Sequence, residues 1–265
     1  MARLPIPNIK CNLFDVSDRV VAITGAGQGI GRTLAEGFAN AAAKVVVVDL
    51  NKEMLADTKE LLDGIGAESA TVNVDVSAED APEKIVNACM ELGGRIDCLM
   101  NNAGIMSYTD PRTITDEEFD QMIRINLKAP MRIMREVLPV MESQKSGSVI
   151  NTGSSWSSRA SVFNQSGGGL DYCAAKAALQ AYSRGAAQNM AEHFVRVNAI
   201  APGGVDTPMH AHHRDFLMEY EKYIPLGRMT VAEDIVGTAI YLASDASAYI
   251  TGQTIHVNGG MIMVD

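Results

Sequence analysis

The chain has 265 residues, 47% of them hydrophobic and 20% charged, and its formal net charge is -10 at pH 7. This composition is typical of a single soluble α/β domain with a large apolar core, and the acidic balance disfavours nucleic acid and anionic lipid as partners. Since no apolar run suits a membrane span or a signal peptide, we expect a cytoplasmic protein.

The chain then alternates between apolar β-branched segments and helical patterns. Residues 1–18 precede this alternation, and we expect them to form an arm over the body or over a neighbouring subunit. The predicted strands are Val20–Thr24, Lys44–Asp49, Ser69–Asp75, Ile96–Asn101, Ser148–Gly153, Val195–Ile200 and Thr254–Val257. Unbroken apolar runs such as Val45–Val48 suit strands covered on both faces. We therefore predict one Rossmann-like, doubly wound α/β domain over residues 19–265, with a seven-stranded parallel sheet and helices on both faces.

Several helix starts are marked by polar residues. Thr115 followed by Glu118 predicts a capping box, and Asn51 is a candidate cap for the helix after the second strand. Ser77 precedes an acidic stretch and predicts another helix start.

The first predicted strand leads directly into a glycine-rich loop. Its predicted phosphate-binding residues are Gly25, Gln28, Gly29, Ile30 and Gly31. Glycines permit a tight turn and let backbone N–H groups approach a pyrophosphate, which then meets the positive end of the helix dipole. A strand before the loop and a helix after it favour dinucleotide binding over a plain turn.

Asp49 ends the second predicted strand, where a carboxylate can accept hydrogen bonds from the adenosine ribose hydroxyls. The same charge repels a 2′-phosphate, so the sequence favours NAD over NADP. Lys52 leaves some room for NADP, and a simple turn-capping role for Asp49 is the alternative.

Tyr172 and Lys176 stand four residues apart, which on a helix places a phenol and an ammonium on one face. A nearby cation lowers the pKa of a phenol from its usual ~10, so the pair predicts a base that can take a proton from an alcohol. Cys173 lies between them. It and the other cysteines, Cys11, Cys89 and Cys98, show no metal-binding or redox spacing, and we predict reduced, mostly buried thiols.

Further motifs surround this pair. They are Asn101–Gly104, Asn126, the run from Asn198 to Thr207, and Tyr249–Gly252 leading to Gly260. Together with the glycine loop, their order resembles that of the classical short-chain dehydrogenases/reductases over roughly Arg19 to Gly260. The resemblance implies an oxidoreductase that acts on CH–OH groups and assembles as a homotetramer.

The resemblance also implies roles for individual residues. Tyr172 would be the general acid/base, Ser154 would hydrogen-bond the substrate oxygen, and Lys176 would also hold the nicotinamide ribose. Asn126 would help hold a water that links Lys176 to solvent. Further cofactor contacts would come from Asp75, Val76, Asn102, Ala103, Gly104, Ile105, Pro202, Gly203, Val205 and Thr207.

The interval from Ser154 to Tyr172 is longer than the family usually has between its catalytic serine and tyrosine. We place an insertion in Ser157–Gly169, whose glycines suit a loop. Ser154 follows the strand-end pattern best, while Ser155 remains an alternative.

Residues 207–228 resemble the variable substrate lid of the family. Trp156 is a candidate wall of the substrate pocket, and a core or interface role is the alternative. His210, His212 and His213 form a short cluster, which we interpret as solvated lid histidines because clear carboxylate or cysteine partners are lacking. We predict no required metal.

The sequence thus predicts an NAD-dependent oxidoreductase that interconverts a secondary alcohol and its ketone, mainly in the oxidative direction. Two alternatives remain: a 3-oxoacyl-thioester (acyl-carrier-protein) reductase, and a non-catalytic NAD-binding or NAD-sensing protein. Asp49 and the charge of -10 oppose the first, and the intact set of Asn126, Ser154, Tyr172 and Lys176 opposes the second. Polyols, sugars, steroids and cyclic alcohols all remain candidate substrates.

Overall fold

A computed structural model of the chain describes residues 12–107, 110, 112–158, 169–209 and 219–264. The strands are β1 (Val20–Thr24), β2 (Lys44–Asp49), β3 (Ser69–Asn73), β4 (Cys98–Asn101), β5 (Gly147–Thr152), β6 (Val195–Pro202) and β7 (Thr254–Val257). They form one sheet in the order β3-β2-β1-β4-β5-β6-β7, and every neighbouring pair is parallel. The seven predicted strands are confirmed, with some ends shifted by one or two residues.

Helices follow the strands along the chain. They are α1 (Gly29–Asn40), α2 (Lys52–Ile65), α3 (Ala81–Gly93), α4 (Asp116–Ile123), α5 (Ala129–Gln144), α6 (Leu170–Met190) and α7 (Glu233–Ala243). A π-helical turn, Arg124–Lys128, joins α4 to α5. The Thr115 capping box and the Asn51 cap are confirmed.

The helix start predicted at Ser77 is wrong, since α3 begins at Ala81 with Asp80 as its N-cap. Asp75 holds a turn instead: its carboxylate accepts the N–H of Ser77 at 2.8 Å, and its carbonyl oxygen accepts the N–H of Ala78 at 2.9 Å. Pro82 lies in the first turn of α3, where its missing N–H is tolerated.

Alternate residues of the central strands enter two separate cores, one on each face of the sheet. On one face, Ile23 and Val47 pack with Leu34, Phe38 and Leu62 of α1 and α2, and with side chains of α7. On the other face, the neighbouring strand residues pack with buried side chains of α3, α5 and α6, which include Ile85, Ile133, Val137 and Ala187. The unbroken valine run of β2 thus reflects a strand that is covered on both sides.

The strand order reverses direction between β1 and β4, so the carboxyl ends of these strands open a crevice. The loops after β1, β2, β3 and β4 surround it. The segments after β5 and β6 lie on the same edge of the sheet, because all strands are parallel.

The described part of the predicted arm, residues 12–18, packs on the body near the end of α7. Val16 is buried, the carbonyl of Leu13 accepts the N–H of Ala246, and the ring of Phe14 lies 6.2 Å from that of Tyr241. Residues 1–11 of that arm lie outside the described residues. Within the described ranges, no helix is long and apolar enough to cross a membrane.

Candidate active site

The glycine loop after β1 is so tight that side chains would not fit. A Cβ added at Gly31 would lie 2.0 Å from the carbonyl oxygen of Gly25, and one at Gly25 would lie 2.8 Å from the Cα of Ala103. Gly25 and Gly29 also have positive φ angles, 66° and 53°, which favour glycine. The loop is therefore a backbone surface that leads into the N-terminus of α1.

A cleft of about 410 Å³ lies beside this loop at the strand crevice. The predicted cofactor residues that line it are Gly25, Gln28, Asp49, Asp75, Val76, Asn102, Ala103, Gly104 and Ile105. Gly29, Ile30 and Gly31 stand at the start of α1, next to the cleft. The amide of Asn102 donates to the carbonyl oxygen of Thr24 at 3.0 Å and thereby joins the ends of β1 and β4.

Asp49 faces the cleft with a carboxylate whose position is fixed by the backbone. One oxygen accepts the N–H of Gly27 at 2.8 Å, and the other accepts that of Asn51 at 2.9 Å. These bonds hold a negative charge at the end of β2, where the sequence predicted the ribose contact.

The cleft also contains residues that sequence reasoning missed: Leu50, Val74, Gln121, Arg124 and Ile125. Arg124 and Ile125 belong to the π-helical turn just before Asn126. Their proximity to Asn126 in sequence was the available signal, but the wide turn that orients them does not follow from the residue pattern. Arg124 is exposed and adds a cation to a cleft that also contains Asp49 and Asp75.

Lys176 is buried beside the end of β5. Its side chain is 2% exposed, and its ammonium donates to the carbonyl oxygen of Thr152 at 2.7 Å. Burial lowers the pKa of Lys176 from 10.5 to about 8. The ammonium lies 5.7 Å from the centroid of the Tyr172 ring, as expected for two residues one helical turn apart on α6.

Asn126 meets Lys176 at Gly104. Its buried amide donates to the carbonyl oxygen of Ile105 at 3.0 Å and to that of Met122 at 3.3 Å. A Cβ at Gly104 would lie 2.6 Å from Oδ1 of Asn126 and 3.4 Å from Nζ of Lys176. The end of the cleft and the lysine of the predicted catalytic group are therefore contiguous.

The two candidate serines point to different surroundings in the turn Ser154–Ser157, hereafter the serine turn. The hydroxyl of Ser155 is fully buried, lies 2.9 Å from the carbonyl oxygen of Ala201, and accepts from the amide of Asn258 at 3.1 Å. Nδ1 of His256 is also 3.1 Å away. Ser155 is thus engaged by groups of β6, of β7 and of the residue after β7. The hydroxyl of Ser154 accepts the N–H of Trp156 at 3.2 Å, which leaves its proton for another partner.

The serine turn is also tied to α6 and to the C-terminal part of the predicted lid. The hydroxyl of Ser157 lies 2.5 Å from the carbonyl oxygen of Ser154 and within hydrogen-bond distance of the side-chain amide of Gln180, which lies one turn after Lys176. The indole of Trp156 donates to the hydroxyl of Tyr220 at 3.1 Å. The structure thus places Trp156 beside both Ser154 and the end of the predicted lid.

The segment after β6 reaches the glycine loop. A Cβ at Gly29 would lie 3.6 Å from Thr207, and Val205 pairs with Thr230 in a β-bridge that joins the two ends of the lid region. Gly203 lies close to Asn258, and Pro202 is the last residue of β6. His210, His212 and His213 lie outside the described residues, as does most of the predicted Ser157–Gly169 insertion.

The cysteines of the described chain are free thiols. Burial raises the pKa of Cys89 and of Cys98 to about 12. Burial, with a contribution from the charge of Asp171, raises the pKa of Cys173 to about 11. All three are protonated at neutral pH. Over the residues with described positions, no group of three His, Cys, Asp or Glu side chains could hold a metal ion.

The residues at this edge fit a nicotinamide dinucleotide. The glycine loop is a cradle that a Cβ would fill, the cleft continues past a carboxylate at the end of β2, and it ends at Gly104 beside Lys176. A phosphate at the helix start and a ribose at Asp49 match the chemistry of these donors and acceptors.

Known proteins resemble this chain over almost its entire length. A family model described as enoyl-(acyl carrier protein) reductase matches residues 25–262. A 3-oxoacyl-[acyl-carrier-protein] reductase of Thermotoga maritima is 33% identical and covers 92% of this chain and 98% of its own length. A short-chain type dehydrogenase/reductase from Mycobacterium marinum superposes with a TM-score of 0.90 at 30% identity, over 95% of this chain and 98% of that one. A levodione reductase superposes with a TM-score of 0.86 at 34% identity, over 92% and 97%.

Proposed function

Because this chain belongs to the classical short-chain dehydrogenase/reductase family, we propose that it is an NAD-dependent oxidoreductase that interconverts a secondary alcohol and its ketone. The observation that carries this proposal is the meeting of Gly104, Asn126 and Lys176 at the end of the dinucleotide cleft, one helical turn from Tyr172. This arrangement brings a base and its cation to the place where the reactive end of a dinucleotide would lie.

Tyr172 is the general base for alcohol oxidation. Its phenolate takes the hydroxyl proton of the alcohol while the C–H bond of the carbinol carbon breaks, and the nearby ammonium of Lys176 stabilises the phenolate. Bound NAD supplies the acceptor for the hydride. In ketone reduction the same proton returns from Tyr172 to the oxygen.

Ser154 is the hydroxyl that binds the substrate oxygen. Its Oγ already accepts the N–H of Trp156, so its own proton is free to point at the substrate. Ser155 is the poorer candidate, because its hydroxyl is buried among Ala201, His256 and Asn258. Asn126 holds the loop at Ile105 and, with Lys176, forms the exit for the proton.

The preference for NAD rests on Asp49. Two backbone N–H groups hold its carboxylate at the cleft, where the charge would repel a 2′-phosphate. Arg124 lines the same cleft and offsets part of that repulsion, so we expect a preference for NAD rather than an absolute exclusion of NADP. A homotetramer and a mainly oxidative direction belong to the same proposal.

The second candidate function is reduction of a 3-oxoacyl thioester. The relative of that name, 33% identical, favours it. The net charge of -10 opposes it, because an acidic carrier protein would be repelled.

A panel assay separates the candidates. Polyols, sugars, steroid alcohols and cyclic alcohols are each offered with NAD and with NADP, and a 3-oxoacyl thioester is offered with NADH and with NADPH. We expect NADH formation, read by absorbance, with at least one class of secondary alcohol. Efficient turnover of the thioester alone would favour the reductase, and binding of NAD without any turnover would favour the non-catalytic alternative.

A further inference from the structure

Trp156 makes two hydrogen bonds to different segments of the chain. Its backbone N–H donates to Oγ of Ser154 at 3.2 Å, and its indole N–H donates to the hydroxyl of Tyr220 at 3.1 Å. Ser154 belongs to the serine turn, whereas Tyr220 lies 64 residues after Trp156, in the C-terminal part of the predicted lid. A single residue therefore connects Ser154 to the segment 219–229.

Tyr220 is a fixed partner for the indole. It is fully buried and packs with Ile224 and Met229, while Trp156 and Met261 pack against the same cluster. The rings of Trp156 and Tyr220 meet edge to face, with centroids 5.9 Å apart and planes at 63°. Burial raises the pKa of Tyr220, so its hydroxyl stays neutral and able to accept the indole N–H.

The same turn fixes where the proton of Ser154 can point. Ser154 is the N-cap of the short 3₁₀ turn Ser155–Ser157, and one lone pair of its Oγ accepts the N–H of Trp156. A shift of the Trp156 backbone within this three-residue turn would move the N–H away from Oγ, and the bond from the indole to Tyr220 restrains such a shift. The orientation of the Ser154 hydroxyl thus depends on the anchoring of the indole.

We propose that Trp156 is a positioning residue, which holds the Ser154 hydroxyl in its substrate-binding orientation through its hydrogen bond to Tyr220. The inference rests on the proposed role of Ser154. It makes the segment 219–229 part of the catalytic arrangement, although that segment has no group that reacts. A substrate that moves this segment changes the placement of Ser154 by the same route.

A double-mutant cycle tests the proposal by activity. Tyr220→Phe and Trp156→Phe each remove one partner of the bond and keep an aromatic ring. We expect each to lower kcat by roughly 5- to 10-fold, because the hydrogen bond that positions Ser154 is lost. KM for NAD should be unchanged. The double variant should lose no more than the worse single variant, since both remove the same bond. Multiplied losses, or an unchanged kcat in Tyr220→Phe, would overturn the proposal.

Tryptophan emission tests it without turnover. Trp156 is the only tryptophan in the chain, so excitation where tyrosine does not absorb reports on it alone. Tyr220→Phe and Ser154→Ala should both shift the emission maximum of the protein without ligand, because each removes a hydrogen-bond partner of Trp156. Tyr249→Phe, at a position that is 92% exposed, is the matched control and should leave emission unchanged.

The two tests separate this inference from the proposed function. If the panel reveals no substrate, the proposed function fails and emission alone decides: the inference survives only if both Tyr220→Phe and Ser154→Ala shift the spectrum. If turnover exists and the cycle is multiplicative, the inference fails and the dehydrogenase activity stands.

Discussion

The cofactor half and the substrate half of the candidate site are held by different kinds of contact. In the cofactor half, backbone meets backbone: a Cβ at Gly31 would lie 2.0 Å from a carbonyl oxygen, so no side chain is possible there. In the substrate half, side chains bridge distant segments, as Ser155 does to Asn258 and Trp156 does to Tyr220. The first half allows little change, whereas the second can change its shape by exchanging side chains.

In the proposed function, this difference separates the groups that bind the cofactor from those that meet the substrate. Strands and helix starts fix the cleft, and α6 fixes Tyr172 and Lys176 one turn apart. The serine turn and the segment after β6 approach the same edge, but hydrogen bonds of individual side chains hold them. Substitutions in the cofactor half should therefore change cofactor binding, and substitutions in the substrate half should change turnover, each without the other effect.

The largest effect is expected at the junction of the halves. Tyr172→Phe removes the only atom of that side chain that can exchange a proton, so kcat should fall by at least ~10³-fold. NAD affinity, measured by titration of NADH fluorescence, should change by less than about threefold. Retained turnover would exclude Tyr172 as the base.

The adjacent serines provide the next comparison. Ser154→Ala should lower kcat by about 10²-fold and leave the melting temperature almost unchanged, because its hydroxyl acts on the substrate. Ser155→Ala should lower the free energy of unfolding by about 1–3 kcal/mol, because it leaves the buried amide of Asn258 without one of its partners. Kinetics and thermal unfolding of both variants check this, and the reverse pattern would assign the catalytic role to Ser155.

A smaller effect is expected in the cofactor half. Asp49→Asn removes the charge and retains an acceptor for a backbone N–H, so the affinity ratio of NADP to NAD should rise by roughly tenfold. Asp75→Asn, which changes the other carboxylate lining the cleft, is the matched control and should alter the ratio less. Titrations with both cofactors give the ratio, and equal ratios for wild type and Asp49→Asn would contradict the charge argument.

The last comparison concerns stability, where the expected change in melting temperature is a few degrees. Lys176 has a pKa of about 8 in the folded chain against 10.5 as its ordinary value, a difference that corresponds to roughly 3 kcal/mol. The unfolded state holds more protons between these values, so wild-type stability should rise with pH from about 8 to 10.5, and the burial penalty is complete below about 8.

Lys176→Met removes this penalty and also the bond to the Thr152 carbonyl. At pH 7 its melting temperature should exceed that of wild type by a few degrees, while turnover is lost. The advantage should shrink as the pH rises toward 10. Thermal unfolding across this range measures it, and a constant difference between the two proteins would show that Lys176 is not desolvated.

The cofactor half could be predicted from sequence because its signals are local. The glycine loop, the strand-end Asp49 and the Tyr172–Lys176 spacing each lie within one turn or one element, and apolar periodicity gives the strands. The start of α3 was misplaced because Asp75 holds a turn that competes with a helix start at Ser77.

The substrate half could not be predicted to the same extent. Ser155 is separated from its partners Ala201 and Asn258 by 46 and 103 residues along the chain. Trp156 is separated from its partner Tyr220 by 64 residues. Nothing in the residue types of these positions indicates that they meet. The π-helical turn that brings Arg124 into the cleft depends on a backbone widening that no residue pattern marks.

Isotope transfer tests the central claim most directly. Wild-type protein is incubated with NAD and a secondary alcohol that turns over in the panel, labelled with deuterium on its carbinol carbon, and the reduced cofactor is analysed by mass spectrometry. We predict one deuterium on each molecule of NADH formed. NADH without deuterium, or reduction of NADP alone, would contradict the account.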